Sequence, residues 1–383
     1  MSKSNRPCTV AETPARIIDR DLRHFIEENA CTLKISHAGT LVAFPHLYLH
    51  RRPPRAKDPS VIWLWLPLML VVIGMAMLAL FTAYAARKVE LALPPSGAFA
   101  DLSNARLHFT DCGEGPAILL IHGMAGNLRH FTYGVADRLA ACYRVIAVDR
   151  PGCGYSTFAP GAPVSLQAQA DIMAELLDKL QIDCAVIAGH SLGGAIALSL
   201  AQRHPQRVAA LALVAPLTKL PSKASPPFDS LDISHNWLRK LLAWTFATPG
   251  TIALNKETMK LVFGPETTPK DFATRGGGLM TLRPSNFVSA STDLHSAPTS
   301  MPAIESAYAA MKVPVHVLYG TKDRILSHHA NGEDFVDRLP GTQLTLVDGG
   351  HMLPITQPQA TADFIHGAAS FAFAWDNPIK RVS

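Results

Sequence analysis

Gly189-His190-Ser191-Leu192-Gly193-Gly194 lies between an apolar run, Ala185-Val186-Ile187-Ala188, and a helix-prone run, Ala195-Ile196-Ala197-Leu198-Ser199-Leu200. That spacing predicts a strand, a sharp turn and a helix, with the Ser191 hydroxyl projecting from the carboxyl edge of a sheet at the positive end of the helix. A side chain at 189 or 193 would collide with the neighbouring strand or helix, so glycine is expected at both. A serine hydroxyl is a poor nucleophile at neutral pH; it needs a histidine base, a carboxylate to orient that base, and N–H donors for an oxyanion. Val313-Pro314-Val315-His316-Val317-Leu318-Tyr319 reads as a buried strand that turns out through Gly320-Thr321-Lys322-Asp323. Leu344-Thr345-Leu346-Val347 leads into Asp348-Gly349-Gly350-His351, a glycine-loosened loop able to swing an imidazole toward the turn. Upstream, Ala117-Ile118-Leu119-Leu120-Ile121 ends in His122-Gly123-Met124-Ala125-Gly126, which makes the amides of Met124 and Leu192 the candidate oxyanion donors. Singly, these are a turn carboxylate, one of 16 histidines and a core methionine. In the order Ser191, Asp323, His351, each at the end of a successive strand, they read as one catalytic set.

The elements that must position them follow from periodicity. Val145-Ile146-Ala147-Val148 leads into the turn-rich Asp149-Arg150-Pro151-Gly152-Cys153-Gly154-Tyr155-Ser156 on the same edge. Leu166, Ala170, Met173, Leu177 and Leu180 share one helical face behind the candidate N-cap Ser165, which makes a crossover helix. The helix after Ser191 should stop at His204-Pro205, and Val208-Ala209-Ala210-Leu211-Ala212-Leu213-Val214 supplies another buried strand. Alternating strand and helix signals predict an α/β fold, a mostly parallel sheet covered on both faces. Residues 217–312 are too long for an ordinary crossover and read as a helical lid. In it, Leu231, Trp237, Leu238, Leu241, Leu242 and Trp244 suggest an apolar face, with Trp237 and Trp244 expected to pack the lid on the core. Gly276-Gly277-Gly278 reads as a flexible break, and Pro284 as the opening of a helix through Phe287 and Val288. An apolar lid over Ser191 implies a pocket for an apolar acyl or alcohol group.

These motifs together resemble the α/β-hydrolase family, in its esterase, lipase and C–C hydrolase branch. The resemblance runs from about Leu107 into the C-terminal region and rests on His122-Gly123, the Asp149 to Ser156 loop, the Gly189 to Gly194 turn, Gly320 to Asp323 and Gly349-Gly350-His351. It implies Ser191 as nucleophile, Asp323 as the acid, His351 as the base, and the Met124 and Leu192 amides as the oxyanion hole. Haloalkane dehalogenases and epoxide hydrolases of this fold use an aspartate nucleophile, and the latter usually carry proline after His-Gly; Ser191 and Met124-Ala125 argue against both.

Val61 to Ala86 contains no Asp, Glu, Lys, Arg or His. As a helix it spans roughly 39 Å, more than the ~30 Å hydrocarbon core, and predicts a single transmembrane segment over residues 61–86 that contacts the lipid bilayer. Trp63 and Trp65 at one end and Tyr84 at the other suit the two interfaces. Arg51, Arg52, Arg55 and Lys57 outnumber Arg87 and Lys88, which predicts a cytoplasmic segment 1–60 and a hydrolase domain on the periplasmic or extracellular side. Ala83-Tyr84-Ala85 resembles a cleavage site, but the long apolar run favours an uncleaved anchor. The expected organisation is then a linker at 87–97, a core at 98–216 and 313–383, and the lid between. The net charge of +5 lies largely beside the apolar run, and no basic helix suggests nucleic acid. Cys8, Cys31, Cys112, Cys142, Cys153 and Cys184 show no zinc spacing, and His328-His329 should diverge on helix or strand, so no metal or other cofactor is expected. The expected activity is hydrolysis of a small apolar ester through an acyl-enzyme on Ser191. The alternatives are C–C or other acyl hydrolysis on the same triad, and a non-catalytic tethered binding module.

Overall fold

Uninterrupted Ala, Val, Ile and Leu runs become strands buried on both faces, as parallel sheets require. The computed structural model describes residues 59–221 and 231–375. The basic flank Arg51 to Lys57, Cys8, Cys31 and the expected cytoplasmic segment lie outside the described residues.

One nine-stranded sheet comprises β1 (Ala98–Asp101), β2 (Ala105–Cys112), β3 (Ala117–Ile121), β4 (Arg144–Val148), β5 (Thr157–Phe158), β6 (Ala185–His190), β7 (Val208–Val214), β8 (Val315–Gly320) and β9 (Gln343–Val347). Its order is β1-β2-β4-β3-β6-β7-β8-β9, with β5 on β2. β4, β3, β6, β7, β8 and β9 are parallel, whereas β1, β2 and β5 add an antiparallel edge. The period of two sorts the core: Leu119 and Ile121 face one side of β3, Ile118 and Leu120 the other. On the first side pack α2 (Leu166–Lys179) and α3 (Leu192–Arg203), reached through Ile172, Met173, Ile196 and Leu200. On the second lies the C-terminal helix Pro358–Trp375, through Ala362, Ile365 and Ala369. Ser165 caps α2, its Oγ accepting from the Ala168 N–H at 3.1 Å, and α3 ends before His204-Pro205.

The segment between β7 and β8 is helical. Here α4 (Asn236–Leu242) passes through a π-helical turn, Ala243–Ala247, into α5 (Thr248–Phe263). Pro249 has no N–H to give the Thr245 carbonyl, which loosens the helical register at that turn. After a 3₁₀ turn, Gly278–Leu282, Pro284 opens α6 (Pro284–Ser306); the C-terminal helix is α7.

Four expectations need correction. Trp237 and Trp244 do not seat the lid on the core, being 66% and 48% exposed; the inward face of this bent helix carries Arg239, Ala243 and Thr245 instead. Arg239 bonds Ser291 Oγ at 2.9 Å and Thr292 Oγ1 at 3.0 Å, so polar contacts tie α4 to α6. The Gly276 to Gly278 stretch is a packed turn, with Asn127 Nδ2 donating to the Gly277 carbonyl at 3.2 Å. The spacer at 87–97 is half helix: α1 runs from Pro59 to Ala92, and its Trp65–Ala92 portion is long and apolar enough to cross a membrane. Val89 and Leu93 pack on Met280, Arg283 pairs with Glu90 at 3.1 Å and Tyr155 Oη donates to the Leu93 carbonyl at 2.6 Å, which continues the helix onto the domain. Lastly, His328 and His329 do not diverge: the π-helical turn His329–Glu333 leaves their rings 4.0 Å apart, and Glu333 bonds His329 at 2.7 Å on an exposed surface.

Candidate active site

β6 delivers Ser191 into α3 through the expected sharp turn, at φ 54° and ψ −121°. A non-glycine residue in that region costs about 1–3 kcal/mol and persists only where its surroundings hold it. They do: Ser191 N–H donates to the Val214 carbonyl at 3.0 Å, while the Ser191 carbonyl accepts from Gly194 N–H at 2.8 Å and Leu217 N–H at 2.9 Å. A Cβ on Gly189 would strike the Gly193 carbonyl, and one on Gly193 the Ile121 carbonyl, so both close approaches demand glycine.

Asp323 leaves the carboxyl end of β8 as anticipated. Its side chain is fully buried, and Oδ1 accepts from Ile325 N–H at 2.8 Å and Leu326 N–H at 3.0 Å. Oδ2 accepts from His351 Nδ1 at 2.7 Å. His351 follows β9 and is itself buried. Its carbonyl accepts from His190 Nε2 at 3.0 Å, and the Gly350 N–H before it donates to both carboxylate oxygens of Glu266 at 3.1 Å. Glu266 lies in the helical segment between β7 and β8, and no spacing in the sequence announced it. Ser191 and His351 line one cavity of about 140 Å³ together with Met124, His130, Phe263 and Phe272. Among the described residues no hydrogen bond joins Ser191 Oγ to the His351 ring; such contacts are often loose before substrate binds. A second lobe of about 100 Å³ shares Met124, Ser191 and Ile325 and adds Leu192, Leu220, Leu294 and Ala297. Both lobes are predominantly apolar, and Ser191 lies where they meet.

Met124 follows β3 on this edge. A Cβ built on the preceding Gly123 would lie 2.9 Å from Ser191 Cβ, so this backbone approaches the serine as closely as glycine permits. Leu192 opens α3 directly after the serine.

Several buried groups around this loop were not singled out by sequence. Arg150, fully buried after β4, donates to the carbonyls of His122 at 3.0 Å and Gly123 at 3.1 Å and pairs with Asp293 of α6 at 2.7 Å. Burial opposes its charge, but Asp293 and Cys153 together outweigh that and raise its pKa. Asp149 accepts from Leu128 N–H at 2.7 Å and Tyr155 N–H at 2.9 Å and meets His108 Nδ1 at 2.7 Å, which fixes the Asp149 to Ser156 turn. Burial, then the charge of His351, pushes His190 well below the usual histidine range; burial, then Arg150, does the same to His122. Burial, opposed by the charge of Asp149 and helped by that of His351, takes His130 down to about 4. The signal in the sequence was Arg150 itself, a charge on a turn whose neighbours belong inside.

The α/β hydrolase fold family model matches residues 116–358. An uncharacterized protein of Mycobacterium tuberculosis is 32% identical over 282 residues, covering 70% of this chain and 79% of its own length. The 2-hydroxy-6-oxo-6-phenylhexa-2,4-dienoate hydrolase of Burkholderia cepacia is 26% identical, covering 63% of this chain and 83% of its own. The crystal structure of a membrane phospholipase A superposes with a TM-score of 0.61 at 22% identity, over 82% of this chain and 99% of that one. The sheet order, the turn at Ser191 and the extent of these matches make the chain a member of the α/β-hydrolase fold family.

Proposed function

We propose that this hydrolase cleaves carboxylic esters through an acyl-enzyme on Ser191, and that α1 anchors it in a membrane. The observation that carries the chemistry is the pairing of a strained, glycine-flanked Ser191 with a buried His351–Asp323 couple at 2.7 Å on one cavity wall. His351, its Nδ1 proton held by Asp323, takes the Ser191 proton at Nε2 as Oγ attacks the ester carbonyl. The Met124 and Leu192 amides receive the oxyanion, the positive end of α3 adding to the second. The imidazolium then protonates the departing alkoxide, and water, deprotonated by the same ring, releases the acid.

The lobes favour a neutral ester over an anionic dienoate. Neither is lined by lysine or arginine among the described residues, so a substrate carboxylate would lose its hydration without a counter-charge. A binding module that had abandoned catalysis would have no use for the strained serine and the oriented histidine together. Residues Trp65–Ala92 support the anchor by length and composition, and the excess of basic residues before the run supports a cytoplasmic N-terminus with the hydrolase domain on the other side.

The test is labelling of membranes containing the full chain with a fluorophosphonate probe, followed by a series of p-nitrophenyl esters of increasing acyl length. Wild type is expected to label and turn over; Ser191→Ala should do neither. Ester hydrolysis at an undiminished rate in that variant would reject the assignment.

A further inference from the structure

We infer that Arg150 is a positioning residue for the oxyanion hole, and that Asp293 makes its hold depend on the seating of the lid. The inference rests on the ester-hydrolysis reading of Ser191. The Gly123 carbonyl and the Met124 N–H are opposite ends of one planar peptide unit, so whatever holds the oxygen aims the hydrogen. Two donors hold that oxygen: Arg150 Nη2 at 3.1 Å and His122 Nδ1 at 2.7 Å. The His122 ring is itself fixed, because Nε2 accepts from the Arg150 backbone N–H at 3.0 Å, which leaves the proton on Nδ1. Arg150 Nε also secures the preceding carbonyl, that of His122, at 3.0 Å. Turning the Gly123–Met124 peptide away from Ser191 would leave one buried guanidinium N–H and a buried imidazole N–H without an acceptor, each at a cost. The cation at the carbonyl end also polarises the unit and strengthens its N–H as a donor.

The counter-charge comes from the lid. Asp293 Oδ2 and Oδ1 meet Arg150 Nη2 and Nη1 at 2.7 and 3.3 Å, and Gln169 Oε1 accepts from Nη1 at 2.8 Å. Both charged side chains are at most 2% exposed. Asp293 lies on α6 and lines the same lobe as Met124 and Ser191. Lifting α6 would therefore unpair the arginine that orients the oxyanion donor, so the hole is fully assembled only under a seated lid.

The test uses the full chain in detergent micelles. Arg150→Met alone leaves Asp293 unpaired and risks the fold, so the decisive variant is Arg150→Met/Asp293→Leu, which removes both charges together. One oxyanion donor is worth ~10²–10³ in kcat, so a misaimed one should cost about 10- to 100-fold in the acylation rate, with KM within about threefold. With a slowly deacylating ¹³C-carbonyl cinnamoyl ester, the acyl carbonyl stretch should rise in the double variant as its hydrogen bonding weakens. Deuterium uptake across residues 121–126 should increase while β6 and β7 stay protected. Asp293→Asn, which keeps the shape, should show a smaller change of the same kind. Wild-type acylation rate, carbonyl stretch and exchange in a folded double variant would overturn the proposal. If wild type forms no acyl-enzyme, the ester reading fails, and the exchange measurement still decides whether Arg150 holds the loop.

Discussion

Replacing Asp323 by asparagine tests the catalytic reading without changing the shape of the site. Asp323 Oδ1 is committed to the N–H groups of Ile325 and Leu326, at 2.8 and 3.0 Å. In Asp323→Asn the amide oxygen must stay there, because turning the NH₂ toward two N–H donors would leave all three unpaired in a buried site. The NH₂ is then presented to His351 Nδ1, which must accept and so places the ring proton on Nε2. A ring protonated there cannot take a proton from Ser191. The charge is lost as well: at 2.7 Å and an effective dielectric of 20, a carboxylate and an imidazolium attract by about 6 kcal/mol. Four decades of rate correspond to ~5.4 kcal/mol, so tautomer and charge together predict a loss in kcat of about 10³–10⁴-fold. KM should move little, since Asp323 lines neither lobe. The assay is steady-state hydrolysis of p-nitrophenyl acetate, with the folded fraction checked by thermal melting. A folded Asp323→Asn variant within tenfold of wild type would refute the assignment of His351 as the base that Asp323 orients.

Two further outcomes follow from the same geometry. His130, held neutral down to about pH 4 by burial, would titrate near 6.5 in the unfolded chain. Its contribution to stability is therefore fully present above pH 6.5 and is lost as pH falls from there toward 4, by roughly 3 kcal/mol in all. His122 and His190 are shifted the same way, so denaturant titrations at pH 7 and pH 5 should show a steep acid loss that His130→Gln reduces; an equal loss in both proteins would contradict the buried neutral ring. Ala297 of α6 lines the ~100 Å³ lobe beside Ser191. Ala297→Phe should cut hydrolysis of p-nitrophenyl butyrate relative to the acetate about tenfold, the scale on which apolar pockets sense added bulk, and an unchanged ratio would remove that lobe from the substrate path.

Much of the core was legible because the parallel strands are short, mostly apolar runs, several of them closed by a glycine-containing turn. Ala117–Ile121 and Val208–Val214 match their strands residue for residue. The antiparallel edge was harder to see: β2 alternates polar and apolar residues, Ala105-Arg106-Leu107-His108-Phe109, and β1 and β5 are short. The site divides in the same way. Ser191, Asp323 and His351 each follow a readable strand, but Glu266, Arg150 and Asp293 act through pairings across the fold that local spacing does not encode. The lid misled for a physical reason. Trp237, Leu241 and Trp244 form a helical stripe, and periodicity shows that a stripe exists without showing which way it faces; here the polar Arg239 turns inward and the tryptophans outward.

The strain at Ser191 accounts for the place of the candidate catalytic groups at this edge of the sheet. A backbone held at φ 54° relaxes unless its neighbours are rigid, and the bond that fixes its N–H comes from Val214, the last residue of β7. β6 and β7 lie inside the sheet, between β3 and β8, and both are buried along nearly their whole length. Loosening the turn would mean breaking a bond anchored in the most protected part of the core. The other two members hang from the neighbouring edge through the bonds of Asp323 to residues 325 and 326 and of Gly350 to Glu266. The last of these and Arg150–Asp293 reach into residues 217–312, as does the Leu217 N–H that donates to the Ser191 carbonyl at 2.9 Å. On the proposed reading, displacement of α6 and of the segment that carries Glu266 would alter the aim of the Gly123–Met124 peptide and of His351, while the Ser191 N–H keeps its bond to Val214.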